Sequence, residues 1–295
     1  MKNNEYKIPW SLRSHKYTQD EINKVVKFLK SNDPLINGKE INKFEINFQK
    51  YLSIKGKVFA VSCGASAIEL AAATLSLKKN DEIIIPAHTY CASALPFCRY
   101  ETKIVWADID LDTMTIDPND ILKKINKKTK AIVITHLYGM PCEINKIKKI
   151  CRDKKILLIE DCAQALGAKY FGKKVGTFGD MSIFSFHAQK NMSTIGAGGA
   201  LVINNKKYQK QADGLRKNGH RPYKNKKHYW LPAMTDVYED VKGITPFNFP
   251  FTELQSIVGN ELLKRIQKLN DLRIKRAKKI ITSLRSFKYL KFQKN

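Results

Sequence analysis

Long apolar runs are missing from this chain of 295 residues: no stretch reaches the roughly 20 apolar residues that span a bilayer. The start, Met1-Lys2-Asn3-Asn4-Glu5-Tyr6-Lys7, is polar and has no apolar core segment, so no signal peptide is expected and the expected location is cytoplasmic. Cysteine is modest. The thiols at 63, 91, 98, 142, 151 and 162 include no C-x-x-C pair, and the histidines include no H-E-x-x-H spacing. That excludes the usual zinc patterns and predicts reduced, mostly buried thiols. Acid is scarce beside base, with 27 Asp and Glu against 53 Lys and Arg, for a net charge of +26. The excess is nearly all lysine, spread along the chain and set among asparagine and isoleucine, while arginine is sparse. Such a chain attracts polyanions in general, but it lacks the planar, bidentate chemistry of specific nucleic-acid readout. Internal repeats and low-complexity segments are also absent.

What remains is an ordinary globular composition, 43% hydrophobic. Thr18-x-x-Glu21 reads as a capping box that opens a helix with Ile22, Val25, Val26 and Leu29 on one stripe, broken at Asn32-Asp33-Pro34. A second helix carries Ile41, Phe44 and Phe48. Seven β-rich runs follow, at 58–62, 82–86, 103–107, 131–136, 156–160, 181–186 and 200–204, with amphipathic helices between most of them. Ile83-Ile84-Ile85 and Ile156-Leu157-Leu158-Ile159 are apolar on both faces, as central strands of a parallel sheet must be. The predicted fold is α/β: a mainly parallel seven-stranded sheet with helices on both faces. The last two runs have no long helix between them, which admits antiparallel pairing. Residues 218–248, with His220-Arg221-Pro222-Tyr223 and Tyr229-Trp230-Leu231-Pro232, read as a long ordered loop. Thr252-x-x-Gln255 then opens a long helix. The expected division is a helical segment at 1–50, an α/β domain at 51–250, and the long helix at 251–295.

Three chemical groups stand at the predicted strand ends. Asp161 follows an apolar strand, and the C-terminal edge of such a sheet is where ligands bind. Ser185 closes the alternating strand Met181-Ser182-Ile183-Phe184-Ser185-Phe186, and Lys190 follows it, before the small-residue run Gly196-Ala197-Gly198-Gly199. An acid that keeps a pyridine nitrogen protonated, a hydroxyl for a phosphate and an amine for a Schiff base are what pyridoxal phosphate (PLP) requires. Taken singly, Asp161 could be a helix cap and Lys190 one surface lysine among many. Gly64, Ala65 and Ser66 join a strand to an Ala-rich helix, so their amides could cradle a phosphate. Tyr90 follows another buried strand and could stack on a flat ring or sit in the core.

The ordered set of motifs resembles the DegT-type nucleotide-sugar aminotransferases, PLP enzymes of the aspartate-aminotransferase fold. It includes Leu35-x-x-Gly38, Gly64-Ala65-Ser66, His136-Leu137-Tyr138-Gly139, Glu160-Asp161-x-Ala163-Gln164, Phe184-Ser185-Phe186-x-x-x-Lys190, Leu215-Arg216-x-x-Gly219 and Asn248-Phe249, and runs from about Ile8 to the chain's end. The resemblance implies that Lys190 is the Schiff-base lysine and Asp161 the partner of the pyridine nitrogen. Gln164 would lie near the phenolic oxygen, Ser185 with Gly64 and Ala65 at the phosphate, and Tyr90 on the ring. Asn248 would reach the phosphate of a second subunit in a homodimer. The implied reaction moves an amino group, usually from glutamate, to a keto sugar on a nucleotide. Related dehydratases carry histidine where this chain has Lys190. Ala65, Ala197 and Pro250 depart from the family's usual threonine, acidic residue and arginine, and the chain stops at Asn295, where family members continue into a small C-terminal domain. The same fold with impaired activity, serving as a PLP-binding or dimer-partner protein, is therefore the alternative reading. Sulfur transfer from cysteine is less favoured, because Gln189 precedes the lysine where those enzymes usually place histidine.

Overall fold

The computed structural model describes residues 13–219 and 244–294. Most of the loop expected at 218–248, including both aromatic clusters, lies outside the described residues, as does Ile8.

Two helices open the described chain, α1 (Gln19–Leu29) and α2 (Lys39–Leu52). They lead into β1 (Lys57–Val61), α3 (Gly64–Thr74), β2 (Glu82–Pro86), the short α4 (Leu95–Cys98), β3 (Lys103–Ala107) and α5 (Pro118–Lys124). Then come β4 (Thr129–Thr135), α6 (Ile144–Lys154), β5 (Leu157–Asp161), the small hairpin β6 (Lys169–Tyr170) and β7 (Lys173–Lys174), β8 (Met181–Ser185) and β9 (Gly199–Ile203). A short α7 (Gln209–Leu215) and the long α8 (Glu253–Leu284) complete the set.

All seven expected strands form, in one sheet of order β1-β9-β8-β5-β4-β2-β3. Pairing is parallel from β8 through β3, while β9 runs antiparallel to both β8 and β1. The connection from β8 to β9 carries no helix, so an antiparallel return is the short route. The sheet is covered on both faces. Ile84, Ile132, Leu158, Phe184 and Val202 face the layer of α2, α5, α6 and α8. Ile83, Ile85, Val133, Ile159, Ile183 and Leu201 face α3, α4 and α7. The period of two in a strand turns consecutive isoleucines to opposite layers, and both layers are apolar.

The capping signals are accurate. Thr18 with Glu21 and Thr252 with Gln255 both form reciprocal capping boxes, and Asp117 caps α5 ahead of Pro118. The α1 stripe departs from expectation: Ile22, Val26 and Leu29 are exposed, while Glu21 and Phe28 are buried. Val25 of the stripe does pack on the core. The buried Glu21 carboxylate takes two hydrogen bonds from Arg265 of α8, at 2.6 and 2.9 Å, which offset the cost of its burial. Phe44 and Phe48 are fully buried, as expected, among Phe186, Phe184 and Phe251. The N-terminus of α2 is satisfied from α8, because the Glu253 carboxylate accepts the amides of Gly38 (2.7 Å) and Glu40 (2.8 Å). A Cβ on Gly38 would lie 2.9 Å from that carboxylate, which accounts for the glycine in Leu35-x-x-Gly38.

Candidate active site at the carboxyl edge of the sheet

The parallel strands bring their C-terminal ends to one edge, and the candidate residues gather there. Asp161 is the last residue of β5, 4% exposed, and pairs in register with Ile183 of β8. Its Oδ1 accepts the Ala163 amide at 3.0 Å, and its Oδ2 accepts the Ser93 hydroxyl at 2.7 Å. Ser93 in turn is linked to Thr89 (2.9 Å), and Thr89 to Thr135 at the end of β4 (2.9 Å). A row of hydroxyls therefore ends on the carboxylate and holds its plane.

Lys190 follows β8 in a loop at 187–198 that folds back on itself: Ala188 N–H donates to Gly196 O (3.0 Å), and Lys190 N–H to His187 O (2.9 Å). Burial lowers the Lys190 amine below the ordinary lysine value, and the nearby Asp161 charge opposes that shift. Lys190 is half-buried, while Asp161 is buried.

The phosphate side is built from β1, α3, β8 and β9. Cys63 caps α3, its Sγ accepting the Ser66 amide at 3.4 Å. The amides of Gly64 and Ala65 begin the helix, where no intrahelical carbonyl can reach them. Ser185 stands opposite: a Cβ on Gly64 would lie 2.9 Å from the Ser185 Cβ and 3.2 Å from its Oγ. Gly199, paired with both Val61 and Ser185, lies so close that a Cβ would strike the Cys63 carbonyl. Glycine at both positions keeps open a small cradle of amides and one hydroxyl at the positive end of α3, suited to a phosphate. Ser66 is at the turn, but its hydroxyl is directed to Ser62 (2.8 Å) and Cys63 (3.2 Å). Only its neighbours are free to face a ligand.

Gln164 is half-buried beside Asp161, with its carbonyl 3.5 Å from where a Cβ on Gly139 would stand. Tyr90 follows β2 at the same edge and is 70% exposed, so it is not a core tyrosine. Asn248 is exposed and forms an isolated antiparallel bridge with Lys217.

Two features were not anticipated. Ser93 is one, since nothing in Cys91-Ala92-Ser93 marks it as a carboxylate partner. The other is a buried group beneath Asp161, where ligating atoms of His136, Glu160 and Cys162 lie within 4.8 Å of one another. It has the make-up of a metal site, but its lone pairs are taken. His136 Nδ1 accepts the Cys142 amide at 3.1 Å, and its Nε2 meets Glu160 Oε2 at 3.1 Å. Glu160 also accepts the amides of Gly176, Phe178 and Gly179. Burial opposes ionisation of Glu160, yet the His136 contact and these amides outweigh it and hold its carboxyl below the ordinary value. Burial pushes the Cys162 thiol up to about 12, so it stays protonated. The group is a strut tying β4 to β5, and the His136 amide donates to the Asp161 carbonyl at 3.1 Å. A glutamate ending a wholly apolar strand was the available signal, because a buried carboxylate needs partners.

A Cβ-free cradle, an oriented carboxylate and an amine depressed by burial fit the donor set PLP needs. Comparison with known proteins agrees. GDP-perosamine synthase of Vibrio cholerae is 35% identical over 232 residues, 79% of this chain and 59% of that protein. A dTDP-3-amino-3,6-dideoxy-alpha-D-galactopyranose transaminase of Aneurinibacillus thermoaerophilus is 36% identical over 73% of this chain and 58% of its own length. The chain thus spans under two thirds of these curated relatives. Among solved structures, an E. coli GDP-4-keto-6-deoxy-D-mannose-3-dehydratase with bound hydrated PLP superposes with a TM-score of 0.86 at 26% identity, over 98% of this chain and 76% of that one. Helicobacter pylori PseC, an aminotransferase involved in the biosynthesis of pseudoaminic acid, gives 0.81 at 28% identity, over 95% and 71%. The model of the DegT/DnrJ/EryC1/StrS aminotransferase family matches residues 15–295, and the chain belongs to that family.

Proposed function

We propose that this chain is a PLP-dependent aminotransferase that moves an amino group, from glutamate, to a keto sugar carried on a nucleotide. One observation supports the reading: Asp161 at the end of β5, the Lys190 loop after β8 and the Gly64/Ser185 cradle lie at one edge of the sheet. When bound, PLP supplies an electron-withdrawing ring that stabilises negative charge on the carbon next to the transferred nitrogen.

The chain's own residues do the rest. Asp161 would hold a proton on the ring nitrogen, and the Ser93 hydroxyl and Ala163 amide keep its carboxylate aimed. Gly64, Ala65 and Ser185 would bind the phosphate, and Gln164 the phenolic oxygen. Tyr90, already largely exposed at the rim, would close over the ring face. Burial favours the neutral Lys190 amine, which is the form that attacks an aldehyde and later accepts and returns a proton at the substrate carbon. Histidine stands at this position in related dehydratases, so lysine here favours amino transfer. Asn248 faces outward, where it could reach a second copy's phosphate, and this supports an active homodimer. The six free cysteines suit the reducing cytoplasm. None of the described helices is long and apolar enough to cross a membrane.

The test is a half-reaction on the PLP-loaded chain. Glutamate should bleach the visible band of bound PLP, and a nucleotide-linked keto sugar should restore it. A band that forms but ignores every amino donor would instead support the PLP-binding, catalytically impaired form.

A further inference from the structure

The loop that presents Lys190 is held from outside the sheet. Residues 14–17, just ahead of α1, run along it and make four hydrogen bonds to it. Ser14 N–H donates to Ala188 O at 3.0 Å. Ser193 N–H donates to His15 Nε2 at 3.1 Å. The Tyr17 hydroxyl donates to Ser193 O at 3.1 Å and accepts from Ile195 N–H at 3.1 Å. The two rings brace each other edge to face, with centroids 5.1 Å apart. The segment is itself anchored to α8: Arg273 donates to Ser14 O at 2.9 Å, and Arg265 to Lys16 O at 3.0 Å. α8 also touches the loop directly, through Asn270 on Asn191 (3.0 Å) and Gln255 on Ala197 O (2.9 Å).

We propose that residues 14–17 form a clamp that fixes the Lys190 loop, with His15 and Tyr17 as positioning residues that keep the amine half-buried. The functional meaning of this clamp rests on the aminotransferase reading, but the clamp itself does not. The geometry is specific. The hydrogen bonds these two side chains make to the loop go to backbone on the far side of Lys190, at Ser193 and Ile195, while Ser14 secures the near side at Ala188. A segment that merely covered a surface would not bracket one lysine from both sides. The His15 contact also defines a protonation state: a ring nitrogen that accepts an amide proton carries none itself, so the clamp uses neutral imidazole. Lowering of the His15 pKa, first by burial and then by Arg265, favours that form.

The experiment uses the purified chain with two readouts that need no cofactor. The first is amide exchange at Ser193 and Ile195. The second is the pH midpoint for trace acetylation of Lys190, read by peptide mass spectrometry. His15→Ala should speed exchange at Ser193, and Tyr17→Phe at Ile195, each by about tenfold, the worth of one net hydrogen bond. Both should raise the Lys190 midpoint toward that of an ordinary lysine, because a loosened loop admits water to the amine. His15→Gln, which keeps an acceptor at similar reach, should restore both values. Tyr17→Phe removes a single oxygen and guards against a variant that fails to fold. Unchanged exchange in His15→Ala and Tyr17→Phe would overturn the clamp. Faster exchange with an unmoved Lys190 midpoint would overturn its positioning role. Failure of the wild-type chain to bind PLP would count against the aminotransferase reading and leave these two results to decide the clamp.

Discussion

Substituting Gly64 by alanine should close the phosphate cradle while leaving the fold standing. The added Cβ would lie 2.9 Å from the Ser185 Cβ and 3.2 Å from its Oγ. Ordinary carbon contacts begin near 3.5 Å, so the serine must give way by about half an ångström. Two opposing terms act on stability. Alanine is the better helix former by about 1 kcal/mol, while overpacking costs about 1–3 kcal/mol, so the net change stays within about 2 kcal/mol. Ligand binding has no such compensation. If the displaced hydroxyl no longer reaches the phosphate, a hydrogen bond to a charged group is lost, worth about 1.5–3 kcal/mol. That is a weakening of PLP binding by roughly 10- to 150-fold. The assay is an absorbance titration of the cofactor-free chain with PLP, with thermal unfolding as the control. Ser185→Ala should show a loss of similar size. Gly64→Ala combined with Ser185→Ala should lose little more than either alone, since both act through one hydroxyl. Gly64→Ala that binds PLP within about twofold of wild type, or strict additivity of the pair, would rule out a phosphate cradle formed by Gly64 and Ser185.

Other expectations follow from the packing and the charges. Phe44 is fully buried and packs on Phe186 and Phe251 at centroid distances of 5.6 and 5.3 Å, so Phe44→Ala should cost about 3–5 kcal/mol in denaturant unfolding. Glu253→Ala leaves the Gly38 and Glu40 amides without their acceptor and should cost about 1–3 kcal/mol by the same measurement. His15 adds a pH dependence. Burial and then Arg265 lower its folded pKa from the ordinary 6.5, while Glu21 and the Lys16 carbonyl oppose this and Arg273 adds to it. Its contribution to stability is therefore complete above 6.5 and is lost as pH falls below that value toward the folded pKa. The melting temperature of the wild type should fall relative to His15→Gln on acidification through that window, and parallel curves would contradict the assignment.

Much of this was legible in the sequence, and the reason is local. Each of the seven strands is a short apolar run bounded by polar residues, and three helix starts carry their own capping side chains, at Thr18, Asp117 and Thr252. The edge at which Asp161 stands was legible because strand ends in a parallel sheet already fix it. What stayed hidden depends on partners far along the chain. The partner of buried Glu21 is Arg265, 244 positions away. Ser93 meets Asp161 across 68 positions, and Tyr17 meets Ser193 across 176. Hydrophobic period and capping report near neighbours, whereas hydrogen bonds across the sheet are written only in three dimensions.

The most direct test is borohydride reduction of the PLP-loaded chain followed by peptide mass mapping. A phosphopyridoxyl group is expected on the side chain of Lys190 and none in Lys190→Ala. Modification centred on any other lysine, or a chain left unlabelled after saturation with PLP, would contradict this expectation.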